Sequence, residues 1–206
     1  MTDPTLHPGW PARLRWGPVE LYPLRRGDAV EWSGVRMANR EWLEPWEPTA
    51  ELPWDQRHSP AAYRTMRRRV LRRARLGASM PFAVRVEGRL AGQVTVDNIV
   101  RGALRGANLG YWIDRSVAGR GMASLAVALV CDHAFGPGGL HRLQADIRPE
   151  NEPSRRLVER LGFSEEGLHR RYLDIDGDWR DHVAYALLAE DLPGGVLNRW
   201  RSLIPR

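Results

Sequence analysis

Gly110-Tyr111-Trp112-Ile113 and, four residues on, Ala118-Gly119-Arg120-Gly121-Met122-Ala123 form the stretch that decides the fold. The first half reads as a short strand and the second as a glycine-rich turn. Beyond it, Leu125, Ala128, Leu129 and Asp132-His133 place an apolar stripe at helical spacing. A helix opening on such a turn presents unpaired N–H groups and the positive end of its dipole. Glycines let a pyrophosphate come close to that backbone. The plainer alternative is a turn that only packs a helix on a strand. A dinucleotide fold fits less well, because the Gly-x-Gly lacks a third glycine two residues further on.

Working outward, Gly136-Pro137-Gly138-Gly139 ends the helix, Leu140 to Ile147 reads as a strand, and Asn151 to Leu161 as a helix closed by Gly162. Phe163 to Leu188 divides into two strands meeting at Asp176-Gly177, a dipeptide suited to a tight hairpin. Upstream, Phe82 to Val86, Gln93 to Ile99 and Leu109 to Ile113 are apolar strand runs. Ser59-Pro60 opens a helix running to Leu76 and stopped by Gly77. Asp28 is expected to cap a helix reaching Asn39, and Val19 to Leu24 is the first strand. Strands alternating with helices and ending in a hairpin predict an α/β or α+β fold with a mixed sheet. The expected division is an N-terminal extension (1–18), one domain (19–190) and a C-terminal tail (191–206).

Composition narrows the chemistry. All 31 basic residues are arginine, against 25 acidic ones, for a net charge of +6. Without lysine there is no P-loop lysine and no lysine Schiff base, while the positive balance favours an anionic partner. A single cysteine, Cys131, cannot form an internal disulfide, which suits a reducing cytoplasm. Met1-Thr2-Asp3-Pro4 does not read as a secretory signal, and no apolar run has membrane-spanning length. A cytoplasmic protein without membrane contact is expected. The six histidines show no metal-ligand spacing, so no metal is expected.

The second motif is Pro149-Glu150-Asn151-Glu152-Pro153-Ser154. Asn151 caps a helix on the plain reading. On the functional one it holds an amide of a ligand lying between two helix starts, and Ser154 offers its hydroxyl to a leaving group. The order glycine turn, helix, strand, Asn-x-x-Ser helix, Leu161-Gly162-Phe163 is far more specific than either half.

Together with Asn39-Arg40-Glu41-Trp42-Leu43-Glu44-Pro45-Trp46-Glu47-Pro48, Asn98-Ile99-Val100-Arg101-Gly102 and Ile175-Asp176-Gly177-Asp178-Trp179-Arg180-Asp181-His182, these motifs make the chain resemble the GNAT acetyltransferases, in particular the RimJ/RimL-type ribosomal-protein-alanine N-acetyltransferases. The resemblance runs from about Val19 to Leu188. It implies one GNAT-like domain with a mostly antiparallel sheet, splayed between its fourth and fifth strands and flanked by helices. It implies acetyl-CoA as cosubstrate. Backbone of Trp112, Ile113 and Asp114 would pair with pantetheine. Ala118, Gly119, Arg120, Gly121, Met122, Ala123 and Ser124 would hold the pyrophosphate, with Asn151 and Ser154 completing the site. One departure is Ala118, where the superfamily turn usually begins with Gln or Arg.

The implied reaction is direct attack of an amine on the thioester. A peptide α-amine, with a reference pKa of about 7.7–8.0, needs only a modest base. Ser154 matches the proton donor of RimL-type enzymes, and Tyr172 is the competing donor. The two familiar base positions fall on Leu173 and Asn108, leaving Glu44, Glu47, Asp97 and Asp174 as candidates. The expected function is acetylation of a protein N-terminus, a ribosomal protein among the acceptors. The alternatives are a small-amine acetyltransferase and a non-catalytic acetyl-CoA- or RNA-binding module. The arginine run Arg64 to Arg75 would suit ribosome contact, although Met66, Val70, Leu71 and Ala74 also fit an ordinary solvated helix. Trp42, Trp46 and Trp54 would roof an acceptor site or simply pack a loop. A monomer or a homodimer is equally compatible.

Overall fold

The computed structural model describes residues 7–203. Eight strands form one sheet in the order β1-β2-β3-β4-β5-β6-β8-β7. The strands are β1 (Leu14–Trp16), β2 (Val19–Pro23), β3 (Ser79–Val86), β4 (Arg89–Val100), β5 (Gly106–Ile113), β6 (Arg142–Ile147), β7 (Ser164–Ile175) and β8 (Asp178–Leu188). The helices are α1 (Ala29–Ala38), α2 (Arg40–Leu43), α3 (Trp54–Arg57), α4 (Pro60–Arg75), α5 (Met122–Phe135), α6 (Glu152–Leu161) and α7 (Val196–Ser202).

Every strand pair is antiparallel except β5 and β6. Those two pair only over Gly106–Asn108 with Arg142–Gln144 and then part. Counted from Val19, they are the expected fourth and fifth strands. The expected hairpin also forms, with Asp176 and Gly177 both at positive φ (51° and 81°) between β7 and β8.

Local signals explain most boundaries. Ser59 Oγ accepts from Ala62 N at 3.2 Å ahead of Pro60, and Gly77 ends the turn after α4 at φ 71°. Asp28 departs from expectation. It lies in a 3-10 turn ahead of α1, where its carboxylate accepts from Arg25 N (2.8 Å) and the Tyr22 hydroxyl (3.1 Å) instead of capping α1.

The core has two halves. On one face of the sheet, α5 is buried from Leu125 to Ala128 and packs with Val158 and Leu161 of α6. On the other, Trp32 of α1 and Tyr63 of α4 pack with Tyr22, Ala83 and Leu90. Both flanking segments contribute to the packed structure. Trp10 is in the core and β1 extends the sheet, so the described part of the 1–18 extension belongs to the packed body. In the 191–206 tail, α7 packs on α5, and Asp132 accepts from Val196 N (2.6 Å) and Leu197 N (3.0 Å). Residues 1–6 and 204–206 of these two segments, including Met1-Thr2-Asp3-Pro4, lie outside the described residues.

Candidate active site

Where β5 and β6 part, a cleft of about 760 Å³ opens. Its lining comes from both faces of the sheet. Gln93, Thr95, Gly110 and Trp112 share one face, because Thr95 pairs with Gly110 and Gln93 with Trp112. Trp42, Leu43, Trp46, Glu47 and Pro48 wall that side. On the opposite face lie Tyr111, the Ala118–Ser124 turn and the start of α6. The cleft therefore runs through the sheet, between the α1–α2 side and the α5–α6 side.

On the α5 side, Gly119 and Gly121 both adopt positive φ (74° and 75°), and Gly121 is the N-cap of α5. A left-handed backbone here is inexpensive only for glycine. Gly121, Ala123 and Ser124 place the start of α5 on the cleft, with no acidic residue in that first turn. Asn151 caps α6, its Oδ1 accepting from Ser154 N at 3.3 Å, and Ser154 faces the cleft. The Ser154 hydroxyl and the Tyr111 hydroxyl are 2.8 Å apart. Burial pushes the Tyr111 phenol well above its ordinary range, so it stays protonated and remains a donor.

On the α1 side, Arg36 organises the wall. Its side chain is 2% exposed and pairs with Glu47 at 2.6 Å. The same Nη2 donates to His58 Nε2 at 2.7 Å, while His58 Nδ1 donates to Trp54 O at 2.9 Å. Trp32, Trp54 and Trp112 surround the guanidinium, with ring centroids 5.6, 4.8 and 4.9 Å away. Burial, reinforced by the Arg36 charge, lowers His58 to about 4 and holds it neutral. Asn39 ties the end of α1 to the β5–α5 loop by donating to Asp114 Oδ1 (3.0 Å) and accepting from Arg115 N (2.9 Å). Trp42 Nε1 adds a bond to Ile113 O at 3.1 Å.

The structure thus brings Trp112, Ile113, Ala118, Gly119, Gly121, Ala123, Ser124, Asn151 and Ser154 to one cleft. Four expected site residues do not line it. The Asp114 side chain holds Asn39 and Ser116 N. Arg120 reaches Glu87 at 3.3 Å, and Met122 packs against the core. Tyr172 sits on β7 against His169 (4.7 Å between ring centroids) and His182 (5.9 Å).

All four candidate bases are engaged. Glu44 pairs with Arg40 (2.8 Å), Glu47 with Arg36 and Asp97 with Arg73 (3.0 Å), while Asp174 accepts from Thr49. Sequence reasoning missed the Tyr111–Ser154 contact and the cleft-lining Arg156 and Arg160. The latter were visible as an i, i+4 pair on one face of α6, in register with Pro153 and Leu157. Among the described residues, no group of His, Cys, Asp and Glu is placed to hold a metal, and no helix is long and apolar enough to cross a membrane.

Residues 19–164 match the acetyltransferase (GNAT) domain. The chain belongs to the GNAT acetyltransferase family. Its structure superposes on Mycobacterium smegmatis RimJ, solved in complex with CoA-disulfide, with a TM-score of 0.91 and 42% identity over 96% of this chain and 97% of the other. It is 32% identical to the [ribosomal protein uS5]-alanine N-acetyltransferase of Escherichia coli, covering 82% of this chain and 86% of that enzyme. A probable N-acetyltransferase of Bacillus subtilis, YjcK, is also 32% identical, over 86% of this chain and 98% of the relative. Within this GNAT frame, β5, the glycine turn and the start of α6 surround one through-going cleft.

Proposed function

We propose that this GNAT enzyme transfers the acetyl group of acetyl-CoA to the N-terminal α-amine of a protein, with ribosomal proteins among its acceptors. The observation that carries this reading is the cleft through the parted sheet, with the Ser154–Tyr111 hydroxyl pair on its α5–α6 side. The likeness to RimJ and to the E. coli uS5-alanine enzyme supports the choice of acceptor.

Acetyl-CoA supplies an activated acyl group and a thiolate leaving group. The chain's own groups supply the rest. The glycine turn and the first N–H groups of α5 receive the pyrophosphate. The half-buried backbone of β5 around Trp112 to Asp114 pairs with the pantetheine arm through the groups that Trp42 and Ala91 leave free, and Arg156 and Arg160 add positive charge along the α6 side. The lining residues fit such an anion, since no carboxylate stands in the first turn of α5. Ser154 is the proton donor to the departing sulfur, held by Tyr111, whose phenol cannot ionise near neutrality. Tyr172 is the poorer donor because it lies outside the cleft lining. The Trp42–Trp46 wall, braced by Arg36 and Glu47, receives the acceptor chain.

The arginine face of α4 extends the proposal. Arg64, Arg68, Arg72 and Arg75 are exposed, while Tyr63, Met66, Val70 and Ala74 pack inward. This face would dock the acceptor's anionic surroundings on a ribosome, in the cytoplasm.

The test is thiol release from acetyl-CoA, with alanine- and serine-starting peptides and a panel of small amines as acceptors. Peptide-dependent turnover that collapses in Ser154→Ala supports both the acceptor class and the donor. Turnover with small amines alone moves the function to their modification. Binding of acetyl-CoA with no acceptor modified favours a binding module.

A further inference from the structure

The helix α4 carries seven arginines and no acidic residue between Pro60 and Arg75. Of these, Arg73 alone pairs with a carboxylate among the described residues, that of Asp97 at 3.0 Å. Like charges three and four residues apart destabilise a helix. The row Arg64, Arg68, Arg72 therefore costs the fold stability, and an anion seated against it would remove the repulsion.

Part of the row is built into a pocket. A cavity of about 270 Å³ between α4 and the turn ahead of α1 is lined by Arg26, Arg64, Arg67 and Arg68, with no carboxylate in its lining. Two of the four guanidiniums are already held. Arg67 Nε donates to Leu24 O at 2.8 Å, and Arg68 Nη2 donates to Thr65 Oγ1 at 3.1 Å. The Tyr63 hydroxyl donates to Arg25 O at 2.8 Å, which fixes the turn that carries Arg26. The acids nearest Arg26 in sequence are taken elsewhere. Asp28 and Glu31 lie 3.6 and 2.7 Å from Arg85, and Asp28 also accepts from Arg25 N and Tyr22.

We propose that this pocket binds backbone phosphates of RNA, with Arg72 and Arg75 continuing the track along α4. The inference deepens the ribosome-docking reading of this face, rests on it, and names the partner as RNA. Planar guanidiniums grip phosphate oxygens two at a time. Arg64, Arg68 and Arg72 recur every four residues, about 6 Å along the helix. A nucleic-acid strand also presents its charges at short regular intervals, whereas carboxylates on a protein surface have no such repeat. Tyr63, the one aromatic residue of α4, is fully buried, so no ring of this helix can stack an unpaired base. The surface reads phosphates and not sequence, which suits a duplex. Because α4 packs beside α1, the RNA and the acceptor chain would approach from one side of the sheet.

The experiment is fluorescence anisotropy of two labelled RNA duplexes of unrelated sequence, from about 50 to 300 mM salt, together with thermal melts. It compares wild type, Arg26→Gln, the double variant Arg64→Gln/Arg68→Gln, and a control, Arg105→Gln/Arg170→Gln, that removes equal charge from exposed positions on other elements. Wild type should bind both duplexes within about twofold, with a log–log salt slope of about −3 to −4 for four phosphate contacts. The α4 double variant should lose at least about tenfold in affinity and about two from the slope. Arg26→Gln should lose about threefold and about one from the slope, and the control should stay within about twofold. Gln and Arg have similar helix propensity, so relieving the repulsion should hold or raise Tm, where loss of a merely structural contact would lower it. Arg26→Gln, outside α4, carries the test if the double variant melts early. No binding at the lowest salt, an equal loss in the control, or displacement of RNA by polyglutamate at equal charge overturns the proposal, the last assigning the face to an acidic protein. Peptide turnover without RNA binding likewise overturns it and leaves acetyl transfer standing. RNA binding without turnover on any amine supports it and removes the transferase reading.

Discussion

Replacing Arg36 with methionine tests how the acceptor wall is held. The guanidinium is 2% exposed, bonds to Glu47 and His58, and is ringed by three tryptophans. Removing one partner of a buried ion pair costs about 3–5 kcal/mol. Glu47 is 26% exposed, so water recovers part of its stranded charge and the cost sits at the low end. Lost cation–π contact adds about 1 kcal/mol, while the methionine's apolar body returns about as much. The net expectation is about 3 kcal/mol, or a fall in Tm of about 8 °C for a chain of this size. A double-mutant cycle with Glu47→Gln should give a coupling of about 1–2 kcal/mol.

The same variant has a pH signature. In the fold His58 is lowered to about 4, against an unfolded value near 6.5. Between those values the unfolded chain binds the proton and the folded one does not. Stability is therefore fully present above about pH 6.5 and declines toward pH 4, by up to about 3 kcal/mol. Arg36 is the second cause of that shift after burial, so Arg36→Met should make the decline shallower. Thermal melts from pH 4 to 8 read both effects. A Tm within about 2 °C of wild type, or an unchanged pH slope, would refute the reasoning.

Other expectations follow from single contacts. Tyr111→Phe removes the phenol held 2.8 Å from the Ser154 hydroxyl and should slow acetyl transfer about tenfold, with a Tm change within a few degrees. Gly121→Val forces a β-branched residue to φ 75° at the N-cap of α5. It should weaken coenzyme A binding about 5- to 30-fold by calorimetry, since left-handed backbone costs such a residue about 1–2 kcal/mol. Cys131 is fully buried and its thiol is pushed far above the usual range by burial. It should resist a disulfide reagent in the native protein and react fully in denaturant. Asp132→Ala removes the acceptor for Val196 N and Leu197 N and should release α7, seen as faster amide exchange from residue 196 onward.

The turn chemistry was legible in the sequence because it is local. Ser59-Pro60, Asp176-Gly177, Gly121 and Asn151-x-x-Ser154 each carry their own reason for a cap or a reversal, and each appears where it was read. The glycine turn and Ser154 could be placed in one site because family order brings them together. What escaped depends on distant partners. Asp28 reads as a helix cap, yet Tyr22 and Arg25 claim its carboxylate. Leu14 to Trp16 is too short to announce a strand, and becomes one only by pairing with Val19 to Leu21. Arg26 looks like any exposed loop cation. Its place beside α4 follows from two tertiary bonds, Tyr63 to Arg25 O and Arg67 to Leu24 O, that span 38 and 43 residues of chain.

A passage that opens on both faces of a sheet has two doors. On the proposed reading, acetyl-CoA enters from the α5–α6 side and the amine from the α1–α2 side, so that neither occupant blocks the other's way in or out. Such routes would leave the order of arrival free and let the spent thiol go while the modified chain is still seated. For a protein acceptor the gain is larger. Only its first residues need reach the middle of the passage, while the folded remainder stays outside, and the enzyme has no need to open around it.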